Sequence, residues 1–162
     1  ISECVGSGCS YVNGWSGCMS SIIRGSDNFD STPPSHGRVV RTAGSFTTTS
    51  TSLVDAIGAT LTLTTGANPV FLGSSKTTYN SSSGEANYFT MVVDSTLLNG
   101  IDGIATQFAG ANQMLVSTIT AQTEPLSAGS HTFKEQWRVS GGTGRVEAIS
   151  GRNYLFYAHE VK

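Results

Sequence analysis

The segment His131-Thr-Phe-Lys-Glu-Gln-Trp-Arg-Val-Ser-Gly-Gly-Thr-Gly144 decides the fold class. Successive side chains of an extended chain point to opposite faces, so Phe133, Trp137 and Val139 share one side and Lys134, Gln136 and Arg138 the other. Gly141-Gly-Thr-Gly144 then predicts a tight hairpin, because glycine adopts positive φ without strain. The same period of two extends outward along the chain. Ala59, Leu61 and Leu63 alternate with Thr60, Thr62 and Thr64. Leu115, Ser117, Ile119 and Ala121 alternate with Met114, Val116, Thr118 and Thr120. Tyr88–Val93 is apolar except for Thr90, and Val39–Thr49, Val70–Leu72, Arg145–Ile149 and Tyr154–Val161 supply further strands. Gly66-Ala-Asn-Pro69, Asn99-Gly100, Asp102-Gly103 and Ser127-Ala-Gly-Ser130 are turn signals between them. A polar loop is expected around Asn80–Gly84, and one helical turn near Ile104–Phe108.

About eight strands at regular spacing predict an all-β protein, an antiparallel β-sandwich or jelly roll over residues 38–162. Residues 1–37 read as an irregular N-terminal arm or linker. Composition agrees. The 162 residues include 23 Ser, 20 Thr and 19 Gly, and only 12% are charged, against roughly 25% in an average globular protein. A helical bundle or coiled coil is excluded, and 38% apolar residues argue against a disordered chain. The net charge is −2 and no run of Lys or Arg occurs, so no nucleic-acid partner is expected. Apolar runs reach four or five residues, far below the roughly 20 of a membrane helix, so no membrane partner is expected either. No signal-peptide pattern is visible.

The arm carries Cys4, Cys9 and Cys18, and Pro33-Pro34 near its end. Trp15, Ile22 and Ile23 are too apolar for a solvated tail and are expected to dock on a neighbour or on their own domain. The three cysteines and His36 have the residue types of a zinc site, but gaps of four and eight residues do not match a knuckle. Buried thiols or one disulfide are the alternatives, and an odd count leaves one thiol free or paired with another chain. No metal or cofactor is expected.

Catalytic patterns are weak. Gly14-Trp-Ser16-Gly lacks the five-residue nucleophile elbow, and His36, His131 and His159 are scattered. Gly141–Arg145 lacks the following helix that a phosphate cradle needs. Glu135 falls on the apolar face of its strand, where a carboxylate needs a partner. Arg138 and Arg145 are the candidates. No catalytic residue is assigned, and the chain is not expected to be an enzyme. Tyr79-Asn80 and Asn87-Tyr88 are candidates for stacking on a glycan, and Asn80-Ser-Ser82 is a glycosylation sequon.

The last strand alternates Tyr154, Phe156 and Ala158 with Leu155, Tyr157, His159 and Val161. A strand apolar on both faces is buried twice, once in the sandwich and once against a neighbour. The alternative is cover by the chain's own arm. Tyr154, Phe156 and Tyr157 therefore join Trp15, Ile22 and Ile23 as candidate subunit or capsid contacts.

Leu126–Gly144, with its Gly-Ser-His turn, central Trp and glycine-rich end, resembles a motif of phage virion proteins. Arg152-Asn-Tyr-Leu-Phe-Tyr-Ala-His-Glu-Val161 resembles their final strand. These are the trimeric jelly rolls of tumour-necrosis-factor-like (TNF-like, C1q-like) type found in capsid decoration proteins and tail-fibre heads. The resemblance spans about Arg38 to Lys162 and is clearest after Leu126; the cysteine-bearing arm is not part of it. It implies a homotrimer in the virion of a bacteriophage, without a cofactor, in contact with the major capsid protein or another virion protein. The implied role is capsid decoration, that is, cementing the head. A tail-fibre or adhesin head that binds host-surface glycans is the alternative.

Overall fold

The computed structural model describes residues 33–162, and every regular element among them is a strand. The first sheet is built on β4 (Val70–Asn80). Along one edge of β4 runs β8 (Leu115–Gln122). Its other edge is shared by two strands in succession. β11 (Tyr154–Glu160) pairs with the Val70–Ser75 part, and β10 (Gly144–Glu147) with Thr77–Asn80. β1 (His36–Arg41) lies outside β11, and β2 (Ser45–Thr48) outside β10. The second sheet is built on β9 (Gly129–Val139), which lies between β3 (Val54–Thr65) and β5 (Ala86–Val93). The short β6 (Thr96–Leu97) and β7 (Ile104–Gln107) pair with β5. All pairings are antiparallel, so the expected all-β sandwich of jelly-roll type is the observed one.

The inner faces interlock as the alternation requires. Val70, Leu72, Ile119, Val146, Tyr154, Phe156 and Ala158 come from the first sheet. Phe89, Met91, Val93, Phe133 and Trp137 come from the second. Trp137 stacks on Phe89 with centroids 5.7 Å apart and meets Phe46 of the opposite sheet edge-on at 5.4 Å. Such aromatic pairs add roughly 0.5–1.5 kcal/mol each beyond the area they bury.

Four expectations change. β4 does not stop at Leu72 but runs eleven residues through Gly-Ser-Ser-Lys-Thr-Thr-Tyr-Asn. Ile104–Gln107 is a strand paired with β5, not a helical turn. β1 starts at His36, so the sheet takes in two residues assigned above to the linker. The Gly141–Gly144 turn is not a hairpin, because β9 and β10 belong to different sheets. It carries the chain from one layer to the other, over a buried amide pair. Asn80 Nδ2 donates to Asn87 Oδ1 and to the Gly141 carbonyl, both at 3.0 Å. Gly142 has φ +67°, and a Cβ there would stand 2.5 Å from Asn80 Oδ1, so only glycine fits.

β3 is also irregular at one place. Asp55 pairs with Gln136 and Thr60 with Lys134, which leaves residues 56–59 opposite the single residue Glu135. Gly58, at φ +79°, turns this bulge, and Arg41 Nη1 donates to the Ile57 carbonyl at 2.8 Å.

His131 lies near the start of β9 and is buried. Its Nδ1 lies 2.9 Å from Asp94 Oδ2 and its Nε2 2.9 Å from the Ser127 carbonyl. Both partners are acceptors, so the protonated ring, which donates from both nitrogens, is the form that this site satisfies. The Asp94 hydrogen bond, then the Ser127 carbonyl, raise the His131 pKa above its usual value. The Thr132 N–H and His131 hold Asp94 below its own. The histidine contribution is full below about pH 6.5 and is lost as pH rises through the elevated folded-state pKa. The aspartate contribution is present above about pH 4 and is lost as pH falls through the depressed one. Asp94→Asn should therefore cost most stability between about pH 4 and 6.5, and should return the His131 titration midpoint toward about 6.5. NMR titration of His131 with denaturation at three pH values checks both.

Candidate functional site

The two outer faces of the sandwich differ in charge. On the second sheet, Asp55 Oδ1 lies 2.9 Å from Lys134 Nζ and 2.7 Å from Gln136 Nε2. Arg138 is ion-paired to Asp102 and lies over the Tyr88 ring at 3.9 Å. The first sheet has a different surface. Its register aligns Val40, Leu155, Ser75 and Thr118 in one cross-strand row. The next row is Arg38, Tyr157, Gly73 and Thr120, and the third is His36, His159, Phe71 and Gln122. Only Arg38, on the rim strand β1, carries a permanent charge in these rows. Val116 on β8 extends the patch and is 73% exposed. Toward β10 the patch ends at a charged cluster. There Tyr79 donates to Glu147 Oε2 at 2.7 Å, and Arg145 lies over the Tyr79 ring at 4.4 Å.

Tyr157 is the centre of the patch. Its ring lies across Gly73, its cross-strand partner, and a Cβ at Gly73 would come within 2.4 Å of the ring. The glycine thus lets an aromatic lie flat on the sheet, with Phe71 at 6.2 Å. Of the sequence-derived contact residues, Tyr157 alone faces outward here. Tyr154 and Phe156 are 0% exposed and fill their own core, so neither reaches another subunit. Alternation had separated them from Tyr157 without saying which face was the core. Trp15, Ile22 and Ile23 lie outside the described residues, as do Cys4, Cys9, Cys18 and Ser16. Among the described residues, no three His, Cys, Asp or Glu side chains converge as metal ligands would.

The glycan candidates do not survive as proposed. Asn80 and Asn87 are 0% exposed and bonded to each other, which also withdraws the sequon from solvent in the folded domain. Tyr79 and Tyr88 each carry an arginine guanidinium over the ring face.

Glu135 has a partner that the sequence reading missed. Neither Arg138 nor Arg145 reaches it. Lys76, from the inner face of β4, is in direct contact through Nζ with Glu135 Oε1, and both side chains are 0% exposed. Lys76 also donates to Ser74 Oγ at 2.6 Å and stands 4.1 Å from the Phe89 ring centroid. Tyr154 donates through its hydroxyl to Glu135 Oε2 at 3.1 Å. Burial lowers the Lys76 pKa against the raising pull of Glu135. Burial, reinforced by Glu135, raises that of Tyr154. The signal for Lys76 was its place at even spacing from Val70 and Leu72.

With this geometry in view, the likenesses to known proteins can be placed. No family model and no curated protein sequence matches the chain. Among solved structures, the Eiger TNF of S. frugiperda matches over 81% of this chain and 94% of its own, with 11% identity and a TM-score of 0.50. The fold is a TNF-like jelly roll. The infectious bursal disease virus particle, Gx strain, matches more weakly, over 78% of this chain at 13% identity with a TM-score of 0.35. This chain spans 36% of that viral chain. These identities speak to the fold of the TNF-like jelly roll alone.

The Tyr157–Gly73 contact is directly testable. Gly73→Ala should cost about 1–3 kcal/mol by overpacking. In a Tyr157→Ala background the same change should cost far less, as a double-mutant cycle by chemical denaturation would report.

Proposed function

We propose that this chain is a non-enzymatic structural protein of a phage virion, whose jelly roll forms a homotrimer and decorates the capsid. The observation that carries self-association is the asymmetry of the outer faces. One bears ion pairs across its centre, while the other confines its permanent charges to Arg38 on the rim strand and the Glu147 cluster toward β10, and leaves Tyr157, Phe71 and Val116 on a weakly charged field between them. Such a surface gains free energy when covered, at roughly 25 cal/mol per Å² of apolar area. In a three-fold ring each copy presents this face to a different surface of the next, and the ring closes. The virion assignment rests on the resemblance of Leu126–Gly144 and Arg152–Val161 to phage virion proteins. A trimer that spans neighbouring capsomers stabilises the assembled shell by mass action, and three points of attachment add avidity. The tail-fibre alternative loses support from the covered tyrosines and buried asparagines described above.

Val116 is exposed enough that its replacement leaves the fold intact. The wild-type chain should elute with three times the monomer mass in light scattering coupled to size exclusion, and Val116→Glu should shift it to a monomer that keeps the wild-type β-sheet circular dichroism spectrum and melts at a lower temperature, the trimer's stabilisation being lost. A monomeric wild type at micromolar concentration would defeat the proposal. Electron microscopy of the intact particle then distinguishes a position on the head from one on a fibre.

A further inference from the structure

The structure brings together an amine, a carboxyl group and a hydroxyl in a closed, largely aromatic space. We infer that Lys76 and Glu135 are the reactants of an intramolecular condensation that joins Nζ to Cδ through an amide, with Tyr154 as the catalytic hydroxyl. The inference is independent of the trimer and of the virion assignment.

Geometry carries it. Both groups are 0% exposed and in contact, so the reaction is pre-organised where no bulk water competes. Among the described residues, Glu135 Oε1 makes no regular hydrogen bond and has the Lys76 nitrogen against it. The other oxygen, Oε2, is held by the Tyr154 hydroxyl at 3.1 Å. Phe89 covers the amine at 4.1 Å, and Ser74 Oγ steadies it at 2.6 Å. Burial, the first cause of the lowered Lys76 pKa, favours the free amine that the reaction needs. Lys76 and Glu135 come from the central strands of opposite sheets, so contact occurs only once the sandwich has closed.

The step balances without a co-reactant. A proton passes from the Lys76 ammonium to Glu135 Oε1, which leaves a free amine beside a carboxylic acid. The nitrogen lone pair attacks Cδ and the Nζ–Cδ bond forms. Negative charge gathers on Oε2, where the Tyr154 O–H donates to it. A second proton moves from Nζ to Oε1, the Cδ–Oε1 bond breaks, and Oε1 departs as water. Nothing is oxidised or reduced.

Mass spectrometry of the full chain, denatured and thiol-reduced, decides the matter. The expected intact mass is one water below the sequence mass. Proteolysis should give a branched peptide that holds both Lys76 and Glu135. Lys76→Arg should restore the full mass. Tyr154→Phe should slow bond formation after refolding roughly a hundredfold, by loss of one oxyanion donor, and so leave an uncondensed fraction early in the time course. A wild-type chain at full sequence mass, with Lys76 and Glu135 on separate peptides, overturns the inference. So does a missing water that maps elsewhere, such as to a succinimide. Because the wild-type measurement decides, a variant that fails to fold does not shield the idea.

Discussion

The Lys76–Glu135 contact is the constraint around which the sandwich is arranged. Two ions at 0% exposure are tolerated only when each has its partner. That condition fixes β4 and β9 face to face, in one register and at one separation. It also accounts for the surroundings. Tyr154 must stand beside Lys76 on β11 to reach the second carboxylate oxygen, and the register that pairs Leu155 with Ser75 puts it there. β3 bulges opposite Glu135, where a regular ladder would align a single residue. Removal of either charged group would strand the other in the core, at about 3–5 kcal/mol.

A second constraint acts from outside. Both sheets have one face in the core, so both outer faces must be accounted for by water or by protein. Lys134, Gln136 and Arg138 alternate with Phe133, Glu135 and Trp137, so β9 itself provides a hydrated outer face. β4 and β8 put Ser75, Gly73, Thr118 and Thr120 there instead. Hydroxyls and a glycine leave a flat surface with little side-chain entropy to lose on contact. The aromatic that crosses Gly73 gives that surface an apolar centre. Flatness, low charge and a central tyrosine together distinguish it from ordinary sheet exterior.

Much of this was legible in the sequence because a two-layer fold buries one face of each strand. Leu115–Gln122 and His131–Val139 show the period of two directly, and the structure follows it residue by residue. β4 was hidden for a physical reason. Its inward positions after Leu72 are Ser74, Lys76, Thr78 and Asn80, which look like a loop until their partners are known. Thr78 accepts from Asn87 Nδ2 at 2.7 Å, Asn80 bonds Asn87, and Lys76 meets Glu135. Pairings across 7 to 59 residues leave no periodic trace. Glu135 on an apolar face did announce that a cation was missing, but not which one. The Gly141–Gly144 turn was misread because glycine content specifies a tight turn without saying whether the next strand stays in the sheet.

The amide and the outer face meet on one strand. β4 points Lys76 inward and Phe71, Gly73 and Ser75 outward, so a load applied at the weakly charged face enters the molecule through β4. In a sandwich held only by side-chain packing, such a load separates the layers, since no backbone hydrogen bond crosses between them. An amide from Lys76 to Glu135 would tie the central strand of one sheet to the central strand of the other. The load would then pass into β9 and across its ladders to β3 and β5. A link at a sheet edge would leave the middle free to open, whereas one at the centre resists separation from every direction. The position of the charged pair on the two axial strands is thus the position that mechanical coupling of the layers requires.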